Sequence, residues 1–256
     1  MRDSFQVHIL SFDSLPSTNT EAARQAAAGA REGLCVVARE QTAGRGRRER
    51  AWASPKDAGL YFSIVLRPTL ALAAWPLIPL ACALAARDAL IEACALETDI
   101  KWPNDLLSRG RKLCGILVET CETVRGRACV AGVGVNLRDA AFPVEIAARA
   151  TSVEAETGRA PDREQLLASL VRCVALRYEE LQSHGGPQAI VRAWSAASTY
   201  AEGKRVRVAL GGAESIEGTT RGLEADGALR IETDDGTTRI VRAGDVTALR
   251  QMMNAE

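Results

Sequence analysis

The chain has 256 residues, of which 47% are hydrophobic and 25% charged, and its 32 basic residues balance its 32 acidic ones. These are the values of an ordinary globular protein with room for one large domain, or a medium domain and a small one, and the zero net charge gives no electrostatic bias toward DNA or an acidic membrane surface. Seven cysteines (Cys35, Cys82, Cys94, Cys114, Cys121, Cys129 and Cys173) are scattered without a C-x-x-C pair, which argues against a disulfide framework or zinc site and for reduced thiols packed as small hydrophobes in the cytoplasm.

The N-terminus from Met1 to His8 lacks a basic stretch followed by an apolar one, so no signal peptide is expected. Phe5 to Leu10 has strand composition. Thr18 and Glu21 form an S/T-x-x-E capping box, which predicts a helix from Asn19 to Ala28 that stops at Gly29. Leu34 to Arg39 reads as a short strand, Gln41 to Pro55 as a Gly- and Arg-rich loop, and Leu60 to Leu66 as a strand. Pro76 to Leu96 predicts a long helix, with Pro near its start where Pro is tolerated; its charges exclude a membrane span. Short strands follow at Ile100 to Trp102, Leu113 to Glu119 and Cys129 to Leu137, with a turn near Gly126. Asp162 is a cap for a helix from Arg163 to Ser183, closed by Gly185-Gly186, and another helix fits Pro187 to Tyr200.

After Tyr200 the texture changes to short β segments separated by Gly211-Gly212, Asp226-Gly227 and Asp235-Gly236. This predicts two domains, 1–200 and 201–256, the second a small β-barrel spanning Gly203 to Arg250. Strands alternating with helices and hairpins make the first α+β, with a mixed sheet packed by helices.

Four clusters carry chemistry. Gln41 and Gly44-Arg45-Gly46-Arg47-Arg48 combine a backbone that can approach a ligand with permanent cationic forks. Such a loop suits a phosphate; it equally suits RNA or a solvated turn, and it is not a Walker loop. Lys101-Trp102-Pro103-Asn104-Asp105 places a lysine, an amide and a carboxylate at a strand end, with Asn104 and Asp105 in a turn beyond the sheet; it is either a phosphate and Mg²⁺ site or a surface turn around a packed tryptophan. Arg111-Lys112 precedes a buried strand containing Gly115. Gly132 and Gly134 are read onto one face of the last long strand and Asn136 onto the other, a ligand floor or a tightly packed sheet. The two histidines, His8 and His184, lie far from these clusters in sequence, so nucleophilic triads are not expected and the chemistry should be electrostatic.

At these clusters the sequence resembles the biotin–protein ligase family: Ser17-Thr18-Asn19, Gln41 through Arg48 with Trp52, Lys101 through Asp105, Lys112 through Glu119, Gly132 through Asn136, Phe142-Pro143 and Ala150-Thr151-Ser152, all in order. The C-terminal β region is similar to that family's SH3-like barrel. The resemblance implies a cytoplasmic enzyme that forms biotinyl-5'-AMP from biotin and ATP, with Mg²⁺, and transfers biotin to a lysine of a biotin carboxyl carrier protein domain. It implies biotin contacts from Ser17, Thr18, Asn19, Gln41, Gly44 and Arg45, and room for the rings and tail above Gly115, Gly132 and Gly134. It implies that Arg47, Lys112 and Lys101 are catalytic, that Arg48, Trp52, Asn104 and Asn136 join Arg47 and Lys112 around the adenylate, and that Asp105 holds Mg²⁺.

Three departures are visible. Glu49 stands where many members have Gly, no tryptophan lies near Ala150 to cover adenine, and only 16 residues precede Ser17-Thr18-Asn19, so no DNA-binding repressor domain is expected. Neither DNA nor a membrane is expected as a partner; the sequence leaves the oligomeric state open, a homodimer through an exposed sheet edge included. The rivals are a lipoate or octanoate ligase or transferase of the same fold, a nucleic-acid-binding protein using the Arg loop, and a catalytically dead scaffold.

Overall fold

The computed structural model, which describes residues 5–138, 142–211 and 214–249, opens with a parallel β–α–β unit: β1 (His8–Leu15), α1 (Thr18–Ala27) and β2 (Leu34–Gln41). The first strand lies later than Phe5 to Leu10. Its Ser11, Asp13 and Ser14 broke the apolar run, but β1 is an edge strand held by its ladder to β2, and polar outward positions are compatible with that. The helix cap also shifts by one residue: Ser17 is the cap and accepts from the Thr20 backbone N–H, while Glu21 pairs with Arg24 and Gln25 instead of reaching back. Thr18 is thereby released to face the sheet.

β3 (Gly59–Leu66) is wholly buried and leads through a 3-10 segment, Leu72–Leu77, into α2 (Ile78–Cys94). The expected helix start at Pro76 falls in that tighter segment, and α2 ends where Ala95 turns left-handed. β4 (Asp99–Lys101) and β5 (Asp105–Ser108) form a hairpin, followed by β6 (Arg111–Thr123) and β7 (Gly126–Asn136). Asp105 is thus the first residue of a strand, a correction to its expected place in a turn beyond the sheet; Asn104 does sit in the turn. α3 (Val144–Ala147) and α4 (Val153–Thr157) are short, and α5 (Arg163–Gln182) is capped by Asp162 as expected. α6 (Gly186–Ala196) stops before Tyr200 because side chains compete with the helix there: the Ser198 hydroxyl donates to Ile100 O, and Thr199 donates from its backbone and hydroxyl to Asp99.

The seven strands order as β1-β2-β3-β7-β6-β5-β4, a mixed sheet. One face carries α2 and α5 over the main core, with Leu60, Phe62, Ile64, Ile116, Val133 and Val135 beneath them. The other carries α1, under which Ala22, Ala26, Val36, Val65 and Val130 form a smaller core. Six of the seven free cysteines are buried, and burial pushes the Cys35, Cys82 and Cys129 thiols up to about 12, so they pack as apolar groups.

The second domain is an antiparallel sheet of β8 (Glu202–Gly211), β9 (Glu214–Leu223), β10 (Leu229–Glu232), β11 (Thr238–Val241) and β12 (Asp245–Ala248), ordered β11-β10-β9-β8-β12, the SH3-like part of the fold. The expected turns at Asp226-Gly227 and Asp235-Gly236 are present, each with a positive-φ glycine and an aspartate accepting a backbone N–H two residues on. Gly212 of the Gly211-Gly212 turn, and Arg250 at the end of the expected barrel, lie outside the described residues. Among the described residues no helix is long and apolar enough to cross a membrane.

Candidate active site

The α1 face of the sheet leaves an open cleft of about 130 Å³ between the start of α1, the loop after β2, β6 and β7. Its position follows from cross-strand register. Lys101, Asp105, Gly115, Gly134 and Tyr61 lie opposite one another across β4, β5, β6, β7 and β3, and Leu117, Gly132 and Ser63 form the neighbouring row. Side chains in such rows share a face. Asn136 has the same parity as Gly132 and Gly134, so it shares their face; its expected place on the opposite one is corrected.

Lys112 has the wrong parity to join Gly115 in a regular strand. A bulge supplies the correction: Leu106 pairs with Cys114 but Leu107 with Lys112, so Leu113 is an extra residue in β6. Bulges re-aim side chains in this way. The Lys112 ammonium lies 2.7 Å from Asp105 and 5.1 Å from the Trp52 ring centre. Arg111, expected with Lys112 ahead of the strand, begins β6 and pairs with Glu156 away from the cleft.

One end of the cleft is a hydrogen-bond network. Ser17, Thr18 and Asn19 are each only 4% exposed. Thr18 donates from its backbone and hydroxyl to Gln41 Oε1 at 2.8 and 3.1 Å, and Gln41 Nε2 donates to Ser54 at 2.9 Å. The Ser63 hydroxyl lies 2.7 Å from Thr18 Oγ1 and 2.6 Å from Asn19 Oδ1. Asn19 Nδ2 and Arg45 Nη2 donate to one oxygen, Glu119 Oε2, at 2.7 and 2.8 Å.

The floor is glycine because side chains lie directly on it. A Cβ at Gly132 would come within 2.1 Å of Asn19 Oδ1, at Gly134 within 2.7 Å of the Trp52 indole, and at Gly115 within 2.9 Å of the same ring. The space expected above Gly115 and Gly134 therefore holds Trp52, which lies across the middle of the cleft. Its Nε1 is buried with no hydrogen-bond partner among the described residues, leaving one free donor in the cleft.

The other end is cationic. Arg47 donates to Asn104 Oδ1 at 3.2 Å and to Gly244 O at 3.3 Å, and no carboxylate among the described residues reaches it within salt-bridge distance. Burial pushes the Arg47 guanidinium below its ordinary value; Asp245 and Asp105 pull it back, and Arg48 and Arg50 oppose them. It remains charged, since arginine does not deprotonate in proteins. Lys101 stands behind Asp105 at 3.6 Å.

The loop thus brings Arg45 and Arg47 to one cavity with Lys112. Four sequence-named residues do not line it: Lys101, expected to be catalytic, lies behind Asp105, and Gly44, Arg48 and Asn136 are also outside. Gly44 lies where the loop folds back: a Cβ there would come within 2.4 Å of Trp52 O. Arg48 is bound to the second domain, and Asn136 donates to Lys112 O and Thr151 O, bracing the backbone behind the lysine. Sequence reasoning missed Ser63, Arg50 and Asp245 and gave Glu119 no role; Asp245 is 195 residues from Arg50 and has no local motif. Among the described residues no group of three or more His, Cys, Asp or Glu is arranged to hold a metal ion.

A family profile described as the biotin/lipoate A/B protein ligase family matches residues 11–136, and one described as the biotin protein ligase C-terminal domain matches residues 203–247. The chain is 38% identical over 237 residues to the biotin–[acetyl-CoA-carboxylase] ligase of Paracoccus denitrificans, covering 90% of this chain and 96% of that one. It is 37% identical over 239 residues to the ligase of the same name from Mycobacterium tuberculosis, covering 91% and 86%. A solved structure of the biotin protein ligase from Aquifex aeolicus in complex with biotin and ATP is similar at a TM-score of 0.81 and 26% identity, covering 94% of this chain and 98% of that one.

Proposed function

The chain belongs to the biotin protein ligase family, and we propose that the cleft over Gly115, Gly132 and Gly134 is where it carries out both steps of that family's reaction. It is an ATP-dependent ligase that forms biotinyl-5'-AMP and transfers biotin to a lysine of a biotin carboxyl carrier protein domain. The observation that carries the site reading is the convergence of Arg45, Arg47 and Lys112 on one cleft.

The network of Ser17, Thr18, Asn19 and Gln41 takes the ureido head of biotin, which offers both donors and acceptors. Lipoate offers neither there, and leaving a buried polar group unpaired costs about 1–3 kcal/mol. This favours biotin over the lipoate or octanoate reading. Trp52 must shift from the floor to admit the rings and tail, and its free indole N–H then meets the ligand or the nucleotide. At the cationic end, Arg47 and Lys112 hold the biotin carboxylate against the α-phosphate of ATP. Carboxylate oxygen attacks phosphorus and pyrophosphate leaves. In the second step the carrier lysine attacks the carbonyl carbon of the mixed anhydride and AMP leaves. Negative charge builds beside Arg47 and Lys112 in both steps, and one preorganised donor of this kind is worth ~3 kcal/mol, roughly a hundredfold in rate.

Asp105 and the neighbouring Asn104 amide fit a Mg²⁺ ion that arrives with the nucleotide and keeps most of its water; one carboxylate flanked by two lysines does not fit a resident metal cage. Bound there, the ion would neutralise the departing pyrophosphate. Lys101 positions Asp105, and Gly44 and Asn136 position the loop and Lys112. Three of the loop arginines are already paired within the chain, Arg45 to Glu119 and Arg48 and Arg50 to Asp245, which disfavours the RNA-binding reading. We place the domain division at residues 200 and 201, and the free thiols suit a reducing, cytoplasmic setting. The open strands β1 and β4 are the edges a homodimer would use.

Purified chain incubated with ATP and either biotin or lipoate tests the reading by mass spectrometry. Biotinyl-adenylate with biotin and no adduct with lipoate is expected; lipoyl-adenylate alone would overturn it.

A further inference from the structure

The loop from Gly44 to Trp52 carries four arginines and one acid within six consecutive positions, Arg45 to Arg50. Like charges at that density repel, and each cation needs an opposite charge or a solvent shell to stay in place. Arg45 is held from the catalytic domain by Glu119. The other counter-charge comes from the second domain: Asp245 Oδ2 accepts from both Arg48 and Arg50.

Asp245 is the first residue of β12, paired with Ala209 of β8. The same strand pair offers backbone carbonyls to the loop. Arg48 donates to Ala209 O at 3.0 Å and also to Leu210 O, and Arg47 donates to Gly244 O at 3.3 Å. One carboxylate and three carbonyls of the second domain thus seize consecutive loop arginines. They do so at a stretch the backbone does not favour: Arg48 has φ 56° and Glu49 φ 60°, the left-handed region that non-glycine residues avoid. A loop bent against its own preference stays bent only if something outside it holds it.

We propose that Asp245 is a positioning residue for adenylate formation, a latch by which the C-terminal domain ties Arg48 and Arg50 to one carboxylate and aims Arg47 at the phosphate. With Arg45 paired to Glu119 and Arg48 and Arg50 sharing Asp245, Arg47 is, among the described residues, the loop arginine that faces neutral acceptors, and its cation is left to meet an anionic substrate. Without Asp245, Arg48 and Arg50 would compete with Arg47 for the same phosphate and the loop would relax outward. The latch sits at the cationic end, so it should act on ATP and on retention of the adenylate, while the ureido network around Gln41 stays intact.

The inference rests on the ligase reading, and the test separates the two. Biotinyl-adenylate formation, the KM for ATP, the dissociation rate of bound biotinyl-adenylate and the Kd for biotin alone are measured for the wild type, Asp245→Asn and Asp245→Glu. Asp245→Asn should raise the KM for ATP and the adenylate dissociation rate at least 10-fold, leave the biotin Kd within about 2-fold, and be partly restored in Asp245→Glu; a general loss of structure would move the biotin Kd as well. Asp245→Asn with wild-type KM and dissociation rate would overturn the latch while leaving the ligase reading in place. A wild type that makes no biotinyl-adenylate would overturn the ligase reading itself. If Asp245→Asn does not fold, Arg50→Gln, whose side chain is 66% exposed, is judged by the same four measurements: the same ATP and adenylate defects support the latch, and unchanged values overturn it.

Discussion

The arginines between Gly44 and Trp52 differ in their counter-charges more than in their positions. Arg45 meets Glu119, Arg48 and Arg50 meet Asp245, and among the described residues Arg47 meets an amide and a backbone carbonyl alone. Arg47→Gly should therefore release biotinyl-adenylate into solution and label lysines of bystander proteins such as serum albumin. Labelling confined to a carrier domain, at the wild-type rate, would show that Arg47 does not hold the adenylate. The glycine floor gives a second test. Gly134→Ala places a Cβ within 2.7 Å of Trp52, and overpacking of this kind costs about 1–3 kcal/mol. Calorimetric titration should show biotin bound about 10-fold more weakly or worse; an unchanged affinity would mean that Trp52 and biotin do not share this floor. At this scale the sequence was legible where the residues of a motif stand together, as in Gly44 through Arg48. That composition alone suited RNA or a solvated turn as well, and only the other motifs in order singled out the phosphate reading. Glu119 and Asp245 were not legible, because their meaning depends on partners 74 and 195 residues away.

At the scale of elements, the alternation rule both succeeded and failed. It placed Gly132 and Gly134 on one face, but applied strictly it would turn Lys112 away from Gly115. The bulge at Leu113 reverses that, and nothing in the apolar run from Leu113 announces an extra residue. The β4–β5 hairpin was half seen for a similar reason: its four-residue second strand is too short to show a period. Glu49, where glycine was expected, adopts φ 60°, so the backbone geometry that suits glycine is kept by a residue that fits it poorly.

Behind Lys112, the Glu156 side chain is 1% exposed and accepts from Ser108, Thr151 and Arg111, tying β5, β6 and the segment beside Ala150 together. Burial alone would raise its pKa, but those hydrogen bonds outweigh it and hold the carboxyl below its usual value. A carboxyl depressed in the folded state stabilises fully above the unfolded value, about 4.3, and that contribution is lost as pH falls through the lower folded value. Glu156→Gln should thus cost about 1–3 kcal/mol in urea unfolding near neutrality, with the gap to wild type closing below about pH 4. A gap independent of pH would assign the effect to shape alone.

Across the whole molecule, the two domains are joined by more than the loop. Trp102 donates from Nε1 to Gly227 O at 2.9 Å, and a Cβ at Gly227 would strike Leu77 and Leu80. Both domains therefore should melt in one transition, and Trp102→Phe, which orphans a buried carbonyl, should lower that single Tm by about 2–4 °C per kcal/mol lost. Two resolved calorimetric transitions would contradict the joint packing. The change to short β segments after Tyr200 made the second domain legible, whereas its contact with the Arg loop was not, since turn dipeptides report hairpins and say nothing of what a sheet docks against.

The most direct measurement of the central claim is biotin-dependent exchange of labelled pyrophosphate into ATP, in the wild type, Arg47→Ala, Lys112→Ala and the double variant. If both cations act on one carboxyl–phosphate junction, exchange requires biotin, each single variant loses roughly a hundredfold, and the double variant loses less than the product of the two. Wild-type exchange in either single variant, or exchange driven by lipoate in place of biotin, would contradict it.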